Sequence, residues 1–325
     1  MKCPFRKTKC NISNFEKKIT GIKINKYFFS IYKCKECGIG VSQPFLTNKE
    51  IETFHDIGSY RDEKGRRFNK FVEYFVTFFS KRRATRIMKF IPVGKILDIG
   101  SGSGLLLSIL KNNGWTTIAN ELNKKTANVI RNNYGLTVLE GNINNCSIKK
   151  NTFDVINIAH VLEHMNDPFS VISQCKSILT KNGLLFIAIP NNNSLQSIFG
   201  QKHWYHLCLP YHLYHLTEQN LTNLLKKNNF EIKYVKHFDA EMNIFGWIQT
   251  ILNFIGLKKD FLFQILEFNC FKKLKKSMPS FIFYYNLILT LIFLILLFPI
   301  SLFLSALESI IKKGGCIEVC AILKK

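Results

Sequence analysis

The stretch Ile96-Leu97-Asp98-Ile99-Gly100-Ser101-Gly102-Ser103-Gly104-Leu105 decides the fold. A short apolar run ends in three glycines at alternate positions, and a helical apolar pattern over residues 105–113 follows at once. This is a buried strand, a tight turn and a helix. In open α/β sheets, ligands bind at the carboxyl ends of the strands, where this turn lies. Gly100 and Gly102 carry no Cβ, so the backbone there can bend sharply and approach a ligand. The helix start beyond them offers unpaired N–H groups and a partial positive charge, which suit a carboxylate. A dinucleotide fingerprint requires a glycine at position 105. Here position 105 is Leu, and the glycine comes one residue earlier, at Gly104. A nicotinamide cofactor is therefore disfavoured. Glu121 ends the next predicted strand, residues 115–122, where its carboxylate can accept hydrogen bonds from both hydroxyls of a ribose.

The alternation continues outward from this turn. Helices are predicted over residues 124–133, 168–179 and 217–228, and strands over 136–140, 153–160, 183–189 and 230–237. Apolar strands separated by helices predict a parallel sheet covered on both faces. Upstream, residues 66–90 read as a basic amphipathic helix, with Phe68, Phe71, Val72, Phe75 and Phe79 at helical spacing, packed on the next domain or, as the alternative, lying on a membrane surface. Residues 277–307 carry no charge, an apolar run longer than the ~20 residues a membrane helix needs.

Composition narrows the partners. The 325 residues carry 45 Lys and Arg against 22 Asp and Glu, a net charge of +23. That excess suits an anionic membrane surface or nucleic acid. Aromatics are not interleaved with Arg along a groove-like stretch, which disfavours nucleic acid. No apolar signal segment opens the sequence, so a reducing compartment is expected, and the cysteines read as metal ligands rather than disulfides. Cys34 and Cys37, followed by Gly38, form a half-site of zinc-knuckle spacing; Cys3 and Cys10 would complete a structural zinc site.

Three motifs together resemble the class I S-adenosylmethionine-dependent methyltransferases. Residues 97–104 are similar to the glycine motif of that family. Phe153-Asp154-Val155-Ile156 with His160-Val161-Leu162-Glu163-His164 is similar to its fourth strand and the loop after it. Ile178-Leu179-Thr180-Lys181-Asn182-Gly183 is similar to the turn before its fifth strand. The nearest branch contains small-molecule methyltransferases, including ubiquinone-type O-methyltransferases. The resemblance implies a Rossmann-like α/β sheet of seven strands with helices on both faces and an antiparallel last strand. It implies that Asp98, Gly100, Ser101, Gly102 and Gly104 face the methionine end of S-adenosylmethionine, with His160 nearby. It further implies that Glu121 and Leu122 hold the ribose end, and that Asn142 and Ile143 stand at the adenine. Where the family usually has Asp, this chain has Asn142, whose carbonyl oxygen still accepts from an adenine amine.

Methyl transfer to an oxygen also needs a base. Four of the eight histidines lie in residues 203–215, after the fifth strand. In that segment His212 is the expected base, with His215 beside it and His164 from the preceding loop. The implied organisation is a zinc-ribbon-like arm (1–45), a helical lead-in (46–94), the cofactor-binding core (95–242), an apolar insertion (243–313) and a final strand (314–325). Because both ends of the insertion join the same sheet, and Lys272, Lys273, Lys275, Lys276, Lys312 and Lys313 flank it, a re-entrant or interfacial hairpin broken at Pro299 is expected on the cytoplasmic membrane face, the alternative being one spanning helix with a short tail. The activity expected is methylation of a small-molecule, lipid-like or lipid-linked glycan acceptor. The alternatives are an RNA methyltransferase and a non-catalytic scaffold that keeps the cofactor fold.

Overall fold

The computed structural model describes residues 14–47, 50, 62 and 65–324. Its first elements are three antiparallel strands, β1 (Phe15–Ile24), β2 (Tyr27–Cys34) and β3 (Gly40–Gln43). Phe29 and Ile31 on β2 are buried two residues apart, the period of a sheet with one covered face. Cys34 and Cys37 flank the β2–β3 turn, where Gly38 takes φ +73° and donates to the Cys34 carbonyl at 2.9 Å. Cys34 belongs to the main apolar core and Cys37 packs against it. Cys3 and Cys10 lie outside the described residues, so the expected zinc site is represented only by its second half.

Helix α1 (Lys70–Phe90) begins at Lys70 rather than at residue 66, because the Asn69 side chain caps it by accepting from the Val72 N–H. Arg66 and Arg67, ahead of the cap, pair instead with Asp62 and Glu267. The inward face of α1 buries Ala84 and Ile87, and Phe71, Tyr74 and Phe75 remain exposed.

The predicted alternation follows: β4 (Lys95–Ile99), α2 (Leu105–Lys111), β5 (Thr116–Glu121), α3 (Lys124–Tyr134), β6 (Thr137–Glu140), β7 (Phe153–Ala159), α4 (Pro168–Ile178) and β8 (Leu179–Pro190). Local chemistry places the helix starts. Asn123 and Asp167 accept from the first-turn N–H groups of α3 and α4, and Pro168 stands in the first turn of α4. After α5 (Leu195–Gly200) come β9 (Tyr214–His215), α6 (Glu218–Lys227) and β10 (Phe230–Lys236). The insertion supplies α7 (Ala240–Phe254), α8 (Phe261–Leu266), α9 (Cys270–Ser277) and α10 (Ser280–Ile310), and β11 (Cys316–Leu323) ends the fold.

The main sheet has the order β10-β11-β8-β7-β4-β5-β6. Strands β4 to β8 run parallel, and β11 lies antiparallel between β8 and β10. The seven-stranded sheet with a reversed last strand is therefore present. Apolar clusters cover both faces. One contains Leu97, Ile156, Ile187 and residues of α4 and α6; the other contains Ile96, Val155, Leu107 and Ile130. Strand β9 leaves this sheet and pairs with β3, tying the histidine-rich segment to the N-terminal strands.

The insertion differs from expectation. Helix α10 runs unbroken through Pro299, so no hairpin forms there. Pro299 sits on the exposed side, while Phe283, Asn286, Thr290, Leu297, Ser301, Ser305 and Glu308 form a buried seam at helical spacing along the whole helix. The turns beyond Pro299 are held by packing. Near the C-terminal end, the Glu308 carboxylate accepts from Trp247 Nε1 at 2.9 Å, Gln196 Nε2 at 3.1 Å and the Gly315 N–H at 3.1 Å. Tertiary hydrogen bonds of this kind offset the donor and backbone bond that an interior proline removes.

Candidate active site

Three strand tips meet at the glycine turn. Gly100, Gly102 and Gly104 have φ of +70°, +60° and +77°. Side chains other than glycine rarely adopt these values. The N–H groups of Gly100 and Ser101 both donate to the Asn120 carbonyl on β5, at 2.9 and 3.2 Å. Ser101 Oγ donates to the Asp98 carbonyl at 2.7 Å. Asn120 Nδ2 donates to the carbonyls of Leu139 and Gly141 at 3.0 Å, fixing β6 beside β5. Glu121 at the tip of β5 reaches back and accepts from the Gly102 N–H. Its carboxylate thus hangs over the turn.

Leu122, beyond Glu121, is exposed. Asn142 follows β6, and its side-chain oxygen accepts from the Asn144 N–H at 3.0 Å. The Ile143 side chain is buried in the core, and its carbonyl accepts from Gln174 Nε2 at 2.7 Å. At this edge Leu122 is therefore a surface side chain, and Ile143 offers backbone rather than side chain. Asp98 is buried under the turn, accepts from Asn157 Nδ2 at 2.6 Å, and has its pKa pushed up by burial to about 6.

A cavity of about 900 Å³ opens from the turn. Asp98, Gly100, Ser101 and Gly102 line one end, and His160, Glu163, His164 and His212 the middle. Its far wall comes from the insertion: Met242 of α7, Lys259, Phe263 of α8 and Lys273 of α9. Arg67 and Arg83 also line it. The sequence reading missed both arginines and the insertion's share of the wall. The only available signal for Arg83 was the position of a cation on α1, one helix ahead of the turn.

The histidines divide. His212 Nδ1 lies 2.9 Å from the His206 carbonyl, and His164 Nδ1 lies 3.0 Å from the Tyr211 carbonyl. A carbonyl cannot donate, so each Nδ1 carries the hydrogen and each Nε2 presents a lone pair. The two rings stand 4.6 Å apart, edge to face. Glu163 is 2% exposed, and both its carboxylate oxygens lack a hydrogen-bond partner. Oε1 lies 4.0 Å from His212 Nε2 and 3.8 Å from His160 Nδ1. One ligand atom each from Glu163, His164 and His212 fall within 4.8 Å of one another.

His215 is placed differently. It does not line the cavity; its Nε2 lies 2.8 Å from Ser42 Oγ of β3. Burial, with the neighbouring imidazoles, holds the pKa of His212 well below the ordinary range. Burial holds His206 and His215 down to about 4. These rings are neutral at pH 7.

The parallel sheet with one reversed strand, the glycine turn at its switch point and the acid at the next strand tip define the S-adenosylmethionine-dependent methyltransferase class. A family profile described as a methyltransferase domain matches residues 65–235, more than half of the chain, and the chain belongs to that family. It is similar to a ubiquinone biosynthesis O-methyltransferase of Haemophilus ducreyi, with 34% identity over 107 residues, 30% of this chain and 45% of the relative. It is also similar to one of Pelagibacter ubique, with 27% identity over 217 residues, 58% of this chain and 86% of the relative. The chain spans about half the length of most of the curated relatives it matches. A solved structure described as a sarcosine dimethylglycine methyltransferase, from Galdieria sulphuraria, shares the fold. It has TM-score 0.51 and 12% identity, covering 85% of this chain and 99% of that one.

Proposed function

We propose that the chain transfers the methyl group of S-adenosylmethionine to an oxygen of a lipid-like or lipid-linked small molecule, at the cytoplasmic face of a membrane. The observation that carries this reading is the cavity, which joins the glycine turn, the neutral His212 and the wall built by the apolar insertion. Beside the glycine end of this cavity, Glu121, which accepts from the Gly102 N–H, would grip the ribose, Asn142 and the Ile143 backbone would meet the adenine, and the glycines would leave room for the methionine. Arg83, on the wall of the same cavity, is one cation available to its carboxylate. The acceptor hydroxyl gives its proton to His212 Nε2 as its oxygen attacks the sulfonium methyl in line, and the C–S bond breaks to leave the neutral thioether. A base of low pKa serves here because the positive charge of the sulfonium is lost in the same step.

The cluster of Glu163, His164 and His212 supports a second reading of the same site. Two imidazoles with carbonyl-held Nδ1 atoms and a buried carboxylate without partners fit a divalent cation, which would polarise the acceptor oxygen. Tritiated methyl transfer into membrane lipid, glycan and RNA fractions tests the main reading. Label in the lipid fraction supports it, and label confined to RNA rejects it. Loss of transfer on chelation, with recovery on adding a divalent metal, selects the cation reading.

A further inference from the structure

Three exposed features meet at the outer end of the cavity. Helix α9, Cys270-Phe271-Lys272-Lys273-Leu274-Lys275-Lys276-Ser277, buries Leu274 alone and exposes its lysines and Phe271. Its first residue Cys270 and Phe268 just before it line the cavity, and Phe268 is itself exposed. The start of α1 is joined to the same place, since the Asn69 N–H donates to the Leu266 carbonyl and the Phe268 N–H to the Arg67 carbonyl. In the first turns of α1, Phe71 and Tyr74 are 73% and 71% exposed.

Helix α10 adds an apolar face. Its buried seam runs its whole length against the protein, and both its ends return to folded chain, α9 before it and β11 after it. Crossing a bilayer end to end would draw in α7, which carries cavity wall at Met242 and buried Asn243, Gln249 and Asn253. A helix so tethered lies in the plane of a membrane surface with its other face outward. That face carries Phe281, Ile288, Ile295, Phe303 and Ile310, all more than half exposed.

We propose that α9 and the aromatic edge of α1, joined beside the cavity, and the outward face of α10 together form a rim that seats on a bilayer containing anionic phospholipid. The acceptor then passes sideways from that bilayer to the methyl donor. The charge pattern selects this occupant over a second copy of the chain. Lys272, Lys275 and Lys276 border the apolar face on a chain of net charge +23, so two copies would oppose like charges, whereas an anionic surface neutralises them. The inference rests on the methyltransferase reading only for what the cavity holds.

Vesicle flotation of the full chain tests the rim, using phosphatidylcholine alone or mixed with phosphatidylglycerol. The triple variant Lys272→Glu, Lys275→Glu, Lys276→Glu is expected to bind the mixed vesicles at least about 100-fold more weakly than wild type, since each lysine's attraction is lost and each new carboxylate is repelled. On phosphatidylcholine alone the two should match. Phe71→Ser with Tyr74→Ser should weaken binding to both compositions. Affinity for S-adenosylmethionine should stay constant in every variant, so its loss would count against the methyltransferase reading and leave the rim untouched. The rim is overturned if the charge-reversed chain floats like wild type. It is equally overturned if wild type ignores vesicles and instead forms a stable dimer or binds RNA.

Discussion

Substituting Gly100 by Ala probes how closely the turn approaches its neighbours. A Cβ built at Gly100 would lie 2.4 Å from Val161 Cγ2, 2.9 Å from Cγ1 and 3.2 Å from Cβ. Valine is branched at Cβ, so rotating χ1 only exchanges the clashing groups and the backbone must move. That backbone leads into His160, Glu163 and His164. Two terms add. The left-handed φ of +70° costs a residue with a Cβ about 1–2 kcal/mol. Overpacking against Val161 costs a further ~1–3 kcal/mol. Gly114 separates them, because it too has positive φ, +84°, but a Cβ there meets nothing within 4 Å. Gly114→Ala should therefore lose only about 1–2 kcal/mol and bind S-adenosylmethionine normally. Gly100→Ala should lose about 2–5 kcal/mol in total and bind at least tenfold more weakly. Urea denaturation followed by the fluorescence of buried Trp115 and Trp204, together with a cofactor titration, reads both quantities. Equal losses in the two variants, with equal cofactor binding, would refute the close approach.

Stability should fall between pH 7 and pH 5. His206 and His215 are held down to about 4 by burial, so their contribution is full above the unfolded value near 6.5 and is lost as pH falls towards 4. Asp98, raised to about 6, acts oppositely, its contribution being lost as pH rises through that value. Glu308, raised by burial to about 7, opposes the imidazoles likewise, so the fall rests on His212, which burial lowers further than the other two rings; each tenfold change in proton affinity is worth about 1.4 kcal/mol. An unfolding free energy that rises on acidification over this window contradicts the assignment. Glu308→Ala strands the Trp247, Gln196 and Gly315 donors and should cost roughly 3 kcal/mol or more in a denaturation experiment, with Glu308→Gln costing less. A neutral Glu308→Ala would show that the α10 anchor contributes nothing. His212→Asn should slow transfer by about 10²–10⁴ at unchanged cofactor affinity; a parallel loss of affinity would make the residue structural.

What was legible in the sequence was local or periodic. The strand, glycine turn and helix of residues 96–111 are contiguous, and the burial of β4 and β7 shows as short runs rich in Ile, Leu and Val, broken only by Asp98 in the one and by Asp154 and Asn157 in the other. Strand β11 was legible only through the family pattern, because its alternation carries no sign of direction. The N-terminal sheet was missed because β1 alternates Lys with Ile over a bulged register, and because its closing partner β9 lies far along the chain. The cavity was missed for the same reason: Arg67, Arg83, Lys259 and Lys273 meet only through tertiary packing. The separation of His212 from His215 depends on where the chain enters β9, which holds His215 against β3 and leaves His212 in the loop before it, and no spacing rule reports that. Pro299 misled because the rule for an interior proline describes the helix alone, whereas a seam ending in Glu308 holds both sides of it.

The bend after β4, with Glu121 above it, is the place where S-adenosylmethionine must bind if the chain is to act as a methyltransferase. Calorimetric titration of the folded chain with that ligand is the direct measurement. Saturable binding of one ligand per chain is expected, weakened roughly 10–100-fold by Glu121→Ala through loss of the ribose contacts. A folded wild-type chain that gives no saturable binding, or a Glu121→Ala chain that binds as well as wild type, would contradict it.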